Sequence, residues 1–560
     1  MSHYSCLFLE CALAILLVAA ALTVPQIGEV GFAWVESTLT RVARSPTRSV
    51  LVVMLVALAG RAALLPLFPP PAPSIHDEFS YLLAAETYAS GRLANTPSPM
   101  WPHFETIHIL QQPTYMSMYP PAQGLFLALG KKLIGHAWFG AWFAFILMTG
   151  AICWMLQGWL PASWALAGGL LVIARWGLFS YWVNSYWGGA VPGLGGALVM
   201  GSLPRLVRRG RSRDASWLAA GLALLANSRP YEGLIVSATA ITTCFVWTFM
   251  HRRSRRLLRL KVVAPIIVVL SFCAVGMLYY NARVTGSALL LPYRADRQQY
   301  ARAPLFLLQG LRPAPSYRAA SLRHVYQAEV ELYRRGRRLG GLPEMLRKIK
   351  NLWLFFVGPL LTIPFLALLV QPAPKRDTRK KFFLLVVGAL TIGLLAEVWF
   401  YPHYAAPAMA AIIALLLLGL RRLRTWIWRN KRSGLFLARA VPVACLLMGF
   451  IPLAAARFKI TLSYWPNQWY GGSPSVVRPA SLTAGLTHAL IIVRYGPTHE
   501  VGEEWVYNGA DIDRSPVVWA RETDPAQDAE LICYFKDRTV WVLEPDKHRW
   551  VLRPYSPSKP

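Results

Sequence analysis

Apolar residues recur along this chain in blocks of about twenty, the length a helix needs to cross the hydrocarbon core of a bilayer. The blocks run roughly over 5–24, 49–68, 138–157, 164–182, 189–207, 216–232, 234–250, 262–280, 351–371, 382–400, 405–420 and 436–455. This pattern predicts an all-α polytopic membrane protein with about 12 transmembrane helices. After the last block the pattern changes. Ile491-Ile492-Val493, Val517-Val518-Trp519 and Val540-Trp541-Val542-Leu543 read as short buried strands bounded by Gly, Pro and Asp. A transmembrane part over 1–456 and a small C-terminal extracytoplasmic α/β or β domain over 457–560 are therefore expected, the tail being long enough to fold as a small domain.

Composition agrees. Of the 560 residues, 55% are hydrophobic and 15% charged, against about a quarter charged in soluble proteins. A soluble enzyme and a disordered chain are both disfavoured. The net charge of +31 would suggest nucleic acid on a soluble protein, but here the basic residues flank apolar blocks. They read as topology signals and lipid headgroup contacts, and nucleic acid is not expected as a partner. Five basic clusters follow odd-numbered blocks: Arg41/Arg44/Arg48, Arg205–Arg213, Arg252–Arg256, Lys375–Lys381 and Arg421–Arg432. All five loops thus share one side, which the positive-inside rule makes the cytoplasm. Three long segments, 69–137, 281–350 and the tail, then lie outside. The N-terminal block lacks a basic n-region and contains Glu10, and reads as a retained helix. Seven cysteines without a CxxC pair suggest neither a zinc site nor a disulfide framework.

The first outer segment carries the clearest chemistry. Residues 76–92 read HDEFSYLLAAETYASGR. Phe79, Leu82, Leu83 and Ala89 form a helical stripe, and Gly91 is a stop. Asp77 and Glu78 open this helix at the membrane surface. A carboxylate in such a place is a candidate general base. An N-cap role for Asp77 stands beside that reading. His103, Glu105 and His108 are metal-ligand types, but H-x-E-x-x-H lacks the i, i+4 histidine spacing of a zinc-protease helix. Polar groups lining a pocket are the alternative, and no metal site is assigned. Tyr115 and Tyr119-Pro120-Pro121 precede an amphipathic stretch, 122–133, suited to the interface.

Asp77-Glu78 just after an early span, a helix ending in Ser90-Gly91, and an aromatic-Pro-Pro turn leading to another helix together resemble the large membrane glycosyltransferases of the GT-C type. The branch is similar to family 39, with the protein O-mannosyltransferases and the lipid A aminoarabinose transferase. The resemblance implies a GT-C-like fold, a polyprenyl-phosphate sugar donor and an aspartate base in the first outer loop, here Asp77 with Glu78 as its neighbour. It covers the layout from the second span to about the eleventh, and recognisable motif only in the first outer loop. One departure stands out. Relatives of the aminoarabinose transferase carry lysine before the Pro-Pro pair, where it can meet a phosphate, and this chain has Tyr119. The exact donor is left open.

A departing phosphate needs cations or N–H donors. Arg229, in Asn227-Ser228-Arg229-Pro230-Tyr231-Glu232, is the leading candidate, since an arginine at membrane depth seeks a partner or a wet cavity. A salt bridge to Glu232 or snorkelling is its bland alternative. Tyr231 accompanies it. A second set is Asn281, Thr285-Gly286-Ser287, Tyr293, Arg294 and Asp296; a third is Tyr401-Pro402-His403-Tyr404, equally readable as a membrane-belt feature. Tyr181, Trp182, Asn184, Tyr186 and Trp187 form an aromatic cluster that stacks on sugars or marks an interface. Asp511-Ile512-Asp513 has the DxD look of nucleotide-sugar metal sites, though a surface turn fits better. Arg-rich 331–350 suits an interfacial helix binding anionic lipid, or acceptor contacts.

The expected activity is transfer of a monosaccharide from a polyprenyl-phosphate donor to a glycan, lipid or protein acceptor. It would be inverting, at the outer face of a bacterial-type inner membrane. No cofactor is assigned, with a divalent metal left open. Two other classes remain. A polytopic transporter or lipid flippase would place its charges at mid-depth. A polysaccharide polymerase or ligase would rely on the 281–350 loop with His324.

Overall fold

The computed structural model describes residues 3–250, 259–371, 377–451, 453–454, 482–497, 499, 504–547 and 550–555. The basic residues Arg252–Arg256, Lys375 and Arg376, the end of the 436–455 block and the start of the tail lie outside the described residues.

The chain opens with α1 (His3–Thr23), α2 (Glu29–Ala43) and α3 (Pro46–Ala63). The first outer segment gives α4 (His76–Ala89), the antiparallel pair β1 (Ile109–Leu110) and β2 (Met116–Ser117), and α5 (Pro121–Ile134). Then come α6 (Trp138–Gln157), α7 (Ala162–Val172), α8 (Ala190–Arg209), α9 (Ser212–Ala226), α10 (Pro230–Met250) and α11 (Leu260–Thr285). The second outer segment holds α12 (Pro292–Tyr300) and α13 (Ala320–Arg337). Next follow α14 (Leu342–Phe356), α15 (Gly358–Val370), α16 (Thr378–Ala396), α17 (Met409–Leu423) and α18 (Ser433–Gly449). The tail contributes β3 (Ala489–Val493), β4 (Val517–Arg521), α19 (Pro525–Tyr534), β5 (Thr539–Leu543) and β6 (Arg553–Pro554).

Each of the twelve apolar blocks contains a helix. Among the described residues, seven helices are long and apolar enough to cross a membrane, or eight if α14 and α15, bent by 98° at Val357, form one span. The other four expected spans are shorter or more charged. α7 gives way to a π turn at Ile173–Gly177, α9 has 15 residues, α16 opens with Arg379-Lys380-Lys381, and α18 has 17 residues. The division between the sixth and seventh blocks falls earlier than expected, because Pro230 occupies the first position of α10, where its missing N–H costs nothing. The protein is thus a helical multi-pass membrane protein with a sheet-containing C-terminal part.

The residues divide into two compact units. One comprises 1–70, 141–273 and 341–470; the other comprises 71–140, 274–340 and 471–560. In the first unit, α8 packs through glycines. A Cβ on Gly196 would lie 1.9 Å from the Pro407 carbonyl oxygen, so only glycine admits the 402–408 turn at this distance. Glu10 is buried and paired with Arg175 at 3.1 Å, and it also accepts the Leu360 N–H at 3.3 Å. An acid inside an apolar helix is thereby compensated, as membrane depth demands. α2 was not foreseen; its Glu36 holds Arg424 and Arg439, each at 2.7 Å.

In the second unit the tail strands form one sheet in the order β4-β3-β5-β6, with β3 parallel to β4 and to β5 and β6 antiparallel to β5. The three expected strands are all present. Every residue of β3 is buried, which explains its unbroken apolar sequence. Leu490 and Ile492 pack in one core with Leu83, Phe104, Ile109 and Tyr115 of the first outer segment. Ile491 and Val493 face the other way, with Trp505, Trp519 and Trp541. The sheet is therefore a platform on which α4 and the β1–β2 turn rest.

Candidate active site

Within the second unit the site begins at the N-terminus of α4. Ile75 is extended at the N-cap and has no capping side chain. Glu78 instead turns back, accepting the Ser74 N–H at 2.8 Å and the Ser74 hydroxyl at 3.2 Å. It is 3% exposed and fixes the start of the helix, in the manner of a capping-box acid. Asp77 points elsewhere. Its Oδ1 accepts a short hydrogen bond from the Tyr119 hydroxyl. His108 Nδ1 lies 3.1 Å from that hydroxyl and 3.8 Å from Asp77 Oδ1. The Asp77 and His108 side chains are each about a quarter exposed, so a solute can reach them.

This geometry is built by the loop. Ser80 on α4 donates to the His108 carbonyl at 2.7 Å and lies 2.7 Å from the Ser117 hydroxyl. Ser117 in turn accepts the Tyr119 N–H at 3.1 Å. The Tyr119 ring stacks on Tyr81 at 4.4 Å. His108 has φ 65°, an unusual conformation for a non-glycine residue. Since the Tyr119 proton goes to Asp77, His108 must offer Nδ1–H to the Tyr119 oxygen, leaving Nε2 as an acceptor. Burial lowers the His108 pKa; Asp77 opposes this, and the Arg297 guanidinium adds to it. Beside this group, His76 Nδ1 makes a short hydrogen bond to Tyr507, whose ring stacks on Phe79 at 4.1 Å. The tail thus supplies a site-wall residue that no sequence spacing indicated.

His103, Glu105 and His108 do not converge. His103 is buried, donating through Nδ1 to the Arg521 carbonyl at 2.9 Å, with Asp528 at 3.7 Å. Glu105 is buried and accepts the Tyr300 hydroxyl at 2.8 Å. Among the described residues no group of three His, Cys, Asp or Glu side chains is placed to hold a metal ion. On α12, Arg294 is exposed, whereas Arg297 is buried, paired with Glu329 and donating to the Ala303 carbonyl at 2.6 Å. Asp296 beside it is 1% exposed, and burial pushes its pKa up to about 7 against the pull of Arg297. Among the described residues neither of its oxygens meets a hydrogen-bond partner of ordinary geometry. In the tail, Asp511 accepts the Arg514 N–H at 3.3 Å and Asp513 accepts the Tyr534 hydroxyl at 3.0 Å, which makes this stretch a surface turn.

The first unit holds a second cluster. Arg229 immediately precedes α10. Its Nη1 lies 3.4 Å from Glu232 Oε1 and its Nη2 lies 2.5 Å from His403 Nε2. Its guanidinium sits 3.9 Å over the Tyr404 ring. Arginine has no acceptor, so His403 Nε2 must be unprotonated, and Nδ1–H faces the Tyr181 hydroxyl at 3.1 Å. His403 is fully buried, with the Trp187 ring at 4.5 Å. Arg229 and the His403-Tyr404 pair, which the sequence offered as separate candidate sets, are therefore one contact group, and Tyr181 and Trp187 of the aromatic stretch join it. Tyr231 turns away, donating to the Gly393 carbonyl at 3.2 Å.

Neither a protein-family model nor a curated protein matches the chain. Similar solved structures do exist. The chain is similar to ArnT from Cupriavidus metallidurans bound to undecaprenyl phosphate, at 14% identity and a TM-score of 0.45, covering 84% of this chain and 85% of that one. It is also similar to an Archaeoglobus fulgidus oligosaccharyltransferase tethered to an acceptor peptide, at 10% identity and a TM-score of 0.42, covering 86% of this chain and 64% of that one. Both neighbours are GT-C superfamily members, the superfamily that the first outer segment resembles.

Proposed function

We propose that this protein is an inverting glycosyltransferase of the GT-C kind that takes a monosaccharide from a polyprenyl-phosphate donor at the outer face of the inner membrane. The observation that carries the proposal is Asp77, a reachable carboxylate held by Tyr119 at the start of α4. In the proposed reaction Asp77 removes the proton of an acceptor hydroxyl. The freed oxygen attacks the anomeric carbon from the face opposite the phosphate. The bond between that carbon and the phosphate oxygen breaks, and its electron pair leaves with the polyprenyl phosphate. Base and nucleophile thus act on one side and the leaving group on the other, which inverts the configuration.

The leaving phosphate gains negative charge and calls for fixed positive charge. Arg229 is assigned to it, and the support is local. The guanidinium lies 3.9 Å over the Tyr404 ring, Nη2 donates to His403 Nε2, and Nη1 is 3.4 Å from Glu232. Arg294, exposed on α12, remains assigned to substrate as well. A lipid donor suits a protein with this many apolar helices, because its prenyl tail stays in the bilayer while the head reaches the site.

The test uses the full-length protein in membrane vesicles with a panel of labelled polyprenyl-phosphate monosaccharides. Asp77→Asn is expected to lower transfer by at least about 10²-fold, in line with loss of a general base, and Arg229→Gln by a comparable factor. His324→Ala, on the exposed face of α13, is expected to leave transfer unchanged. Full transfer by inserted Asp77→Asn protein would remove the base assignment. Loss on changing His324 alone would favour a polymerase or ligase.

A further inference from the structure

Basic residues crowd the C-terminal end of α13, where Arg334, Arg335, Arg337 and Arg338 stand within five positions. A helix C-terminus accounts for some of this, since cations there offset the carbonyl end of the dipole. It does not account for the shape around them. The 306–311 turn is fastened across the helix. Leu307 seats on Gly336, where a Cβ would lie 2.5 Å from the leucine methyl, and Tyr333 donates to the Gln309 carbonyl at 2.8 Å. Between turn and helix lies an open groove of about 560 Å³, lined by Gly310, Leu311, Tyr333, Arg334, Arg337 and Arg338. That is within the usual ~300–1,000 Å³ of small-molecule sites.

The charge in the groove is only partly balanced. Glu331 is shared between Arg335 at 3.4 Å and Arg338 at 3.5 Å. Arg337 Nη1 donates to the Tyr333 hydroxyl at 2.6 Å, which fixes the guanidinium at the wall. Arg334 has no ion pair among the described residues and is exposed. Leu311, on the groove wall, is 37% exposed, and Leu308 in the same turn is 92% exposed. A cationic floor with an apolar lip is complementary to a phosphate diester that carries acyl chains. Arginine forks grip phosphate oxygens in pairs, and the leucines meet the first methylenes.

We propose that this groove binds the headgroup of an anionic phospholipid. It belongs to the second outer segment and does not depend on the activity proposed above. The probe is phosphatidylglycerol, with phosphatidylcholine as the zwitterionic control, retained on detergent-purified full-length protein and counted by native mass spectrometry. Preferential retention of phosphatidylglycerol is expected, falling at least about tenfold in the R334Q/R337Q/R338Q protein. Millimolar inorganic phosphate is expected not to displace the lipid. Equal retention of the two lipids, unchanged retention in the triple variant, or displacement by free phosphate would each overturn the proposal. Should the triple variant unfold, Arg334→Gln alone removes a cation without an ion pair, and a several-fold loss of retention is expected from it. Unaltered retention by that single variant would count against the groove.

Discussion

Tyr119 stands between a histidine nitrogen and the Asp77 carboxylate, and its single proton goes to the carboxylate. Tyr119→Phe removes that hydrogen bond but keeps the stacking on Tyr81. A bond to a charged group contributes about 1.5–3 kcal/mol, so transfer is expected to fall by roughly 10- to 100-fold, mainly in kcat. Unchanged kcat would show that the hydroxyl does not orient Asp77. Two nearby groups give opposite responses to pH. The His108 pKa is lowered by burial and by Arg297. The unfolded chain therefore takes up its proton first as pH falls below about 6.5, and stability is lost from there downward. His108→Gln is expected to flatten that acid limb of the thermal midpoint. Asp296 is raised to about 7, so its contribution is fully present below about pH 4, where the unfolded carboxyl is also protonated, and is lost progressively as pH rises to 7. Asp296→Asn is expected to raise the midpoint by a few degrees at pH 8 and to change it little at about pH 4; the reverse pattern would place Asp296 in an ionised network. Asp77 was legible in sequence because an acid opening a helix after a span is a local pattern. Tyr507 was not, since its contact with His76 joins positions far apart in the chain, and no periodicity encodes that.

At the scale of elements, the close approach of α8 to the 402–408 turn ties His403 to a stripe of small residues. Gly196→Ala would put a methyl 1.9 Å from the Pro407 carbonyl. Overpacking of this kind costs about 1–3 kcal/mol, so a lower thermal midpoint and weaker activity are expected together. A variant with wild-type midpoint would mean that the turn can shift freely. The existence of the helices was legible because a run of twenty apolar residues has few other solutions in a membrane protein. Their ends were less so. The π turn after α7, the bend at Val357 and the extra helix α2 depend on tertiary packing, and hydropathy averages over it. The tail strands were legible for a simpler reason: β3 is buried on both faces, so its sequence is apolar without alternation.

For the whole molecule, the positive-inside rule leads to the expectation of one orientation, with the tail outside the cytoplasm. Cys533 provides the check, as it is exposed while the other six cysteines are buried or half-buried. A membrane-impermeant maleimide applied to spheroplasts is expected to label the wild type, and Cys533→Ser is expected to abolish that labelling. Labelling only after the membrane is breached would invert the topology and with it the side of the proposed reaction.

The joint core of Leu83 with Leu490 also has a consequence for biosynthesis. The aspartate-bearing helix leaves the ribosome about 400 residues ahead of the strand that covers it. At roughly 5–20 residues per second the gap amounts to tens of seconds. Throughout that interval Leu83, Phe104 and Ile109 stand without their lid. A nascent chain halted before Ala489 would keep this greasy face open to chaperones and proteases, so maturation of the site waits on synthesis of the β3 strand.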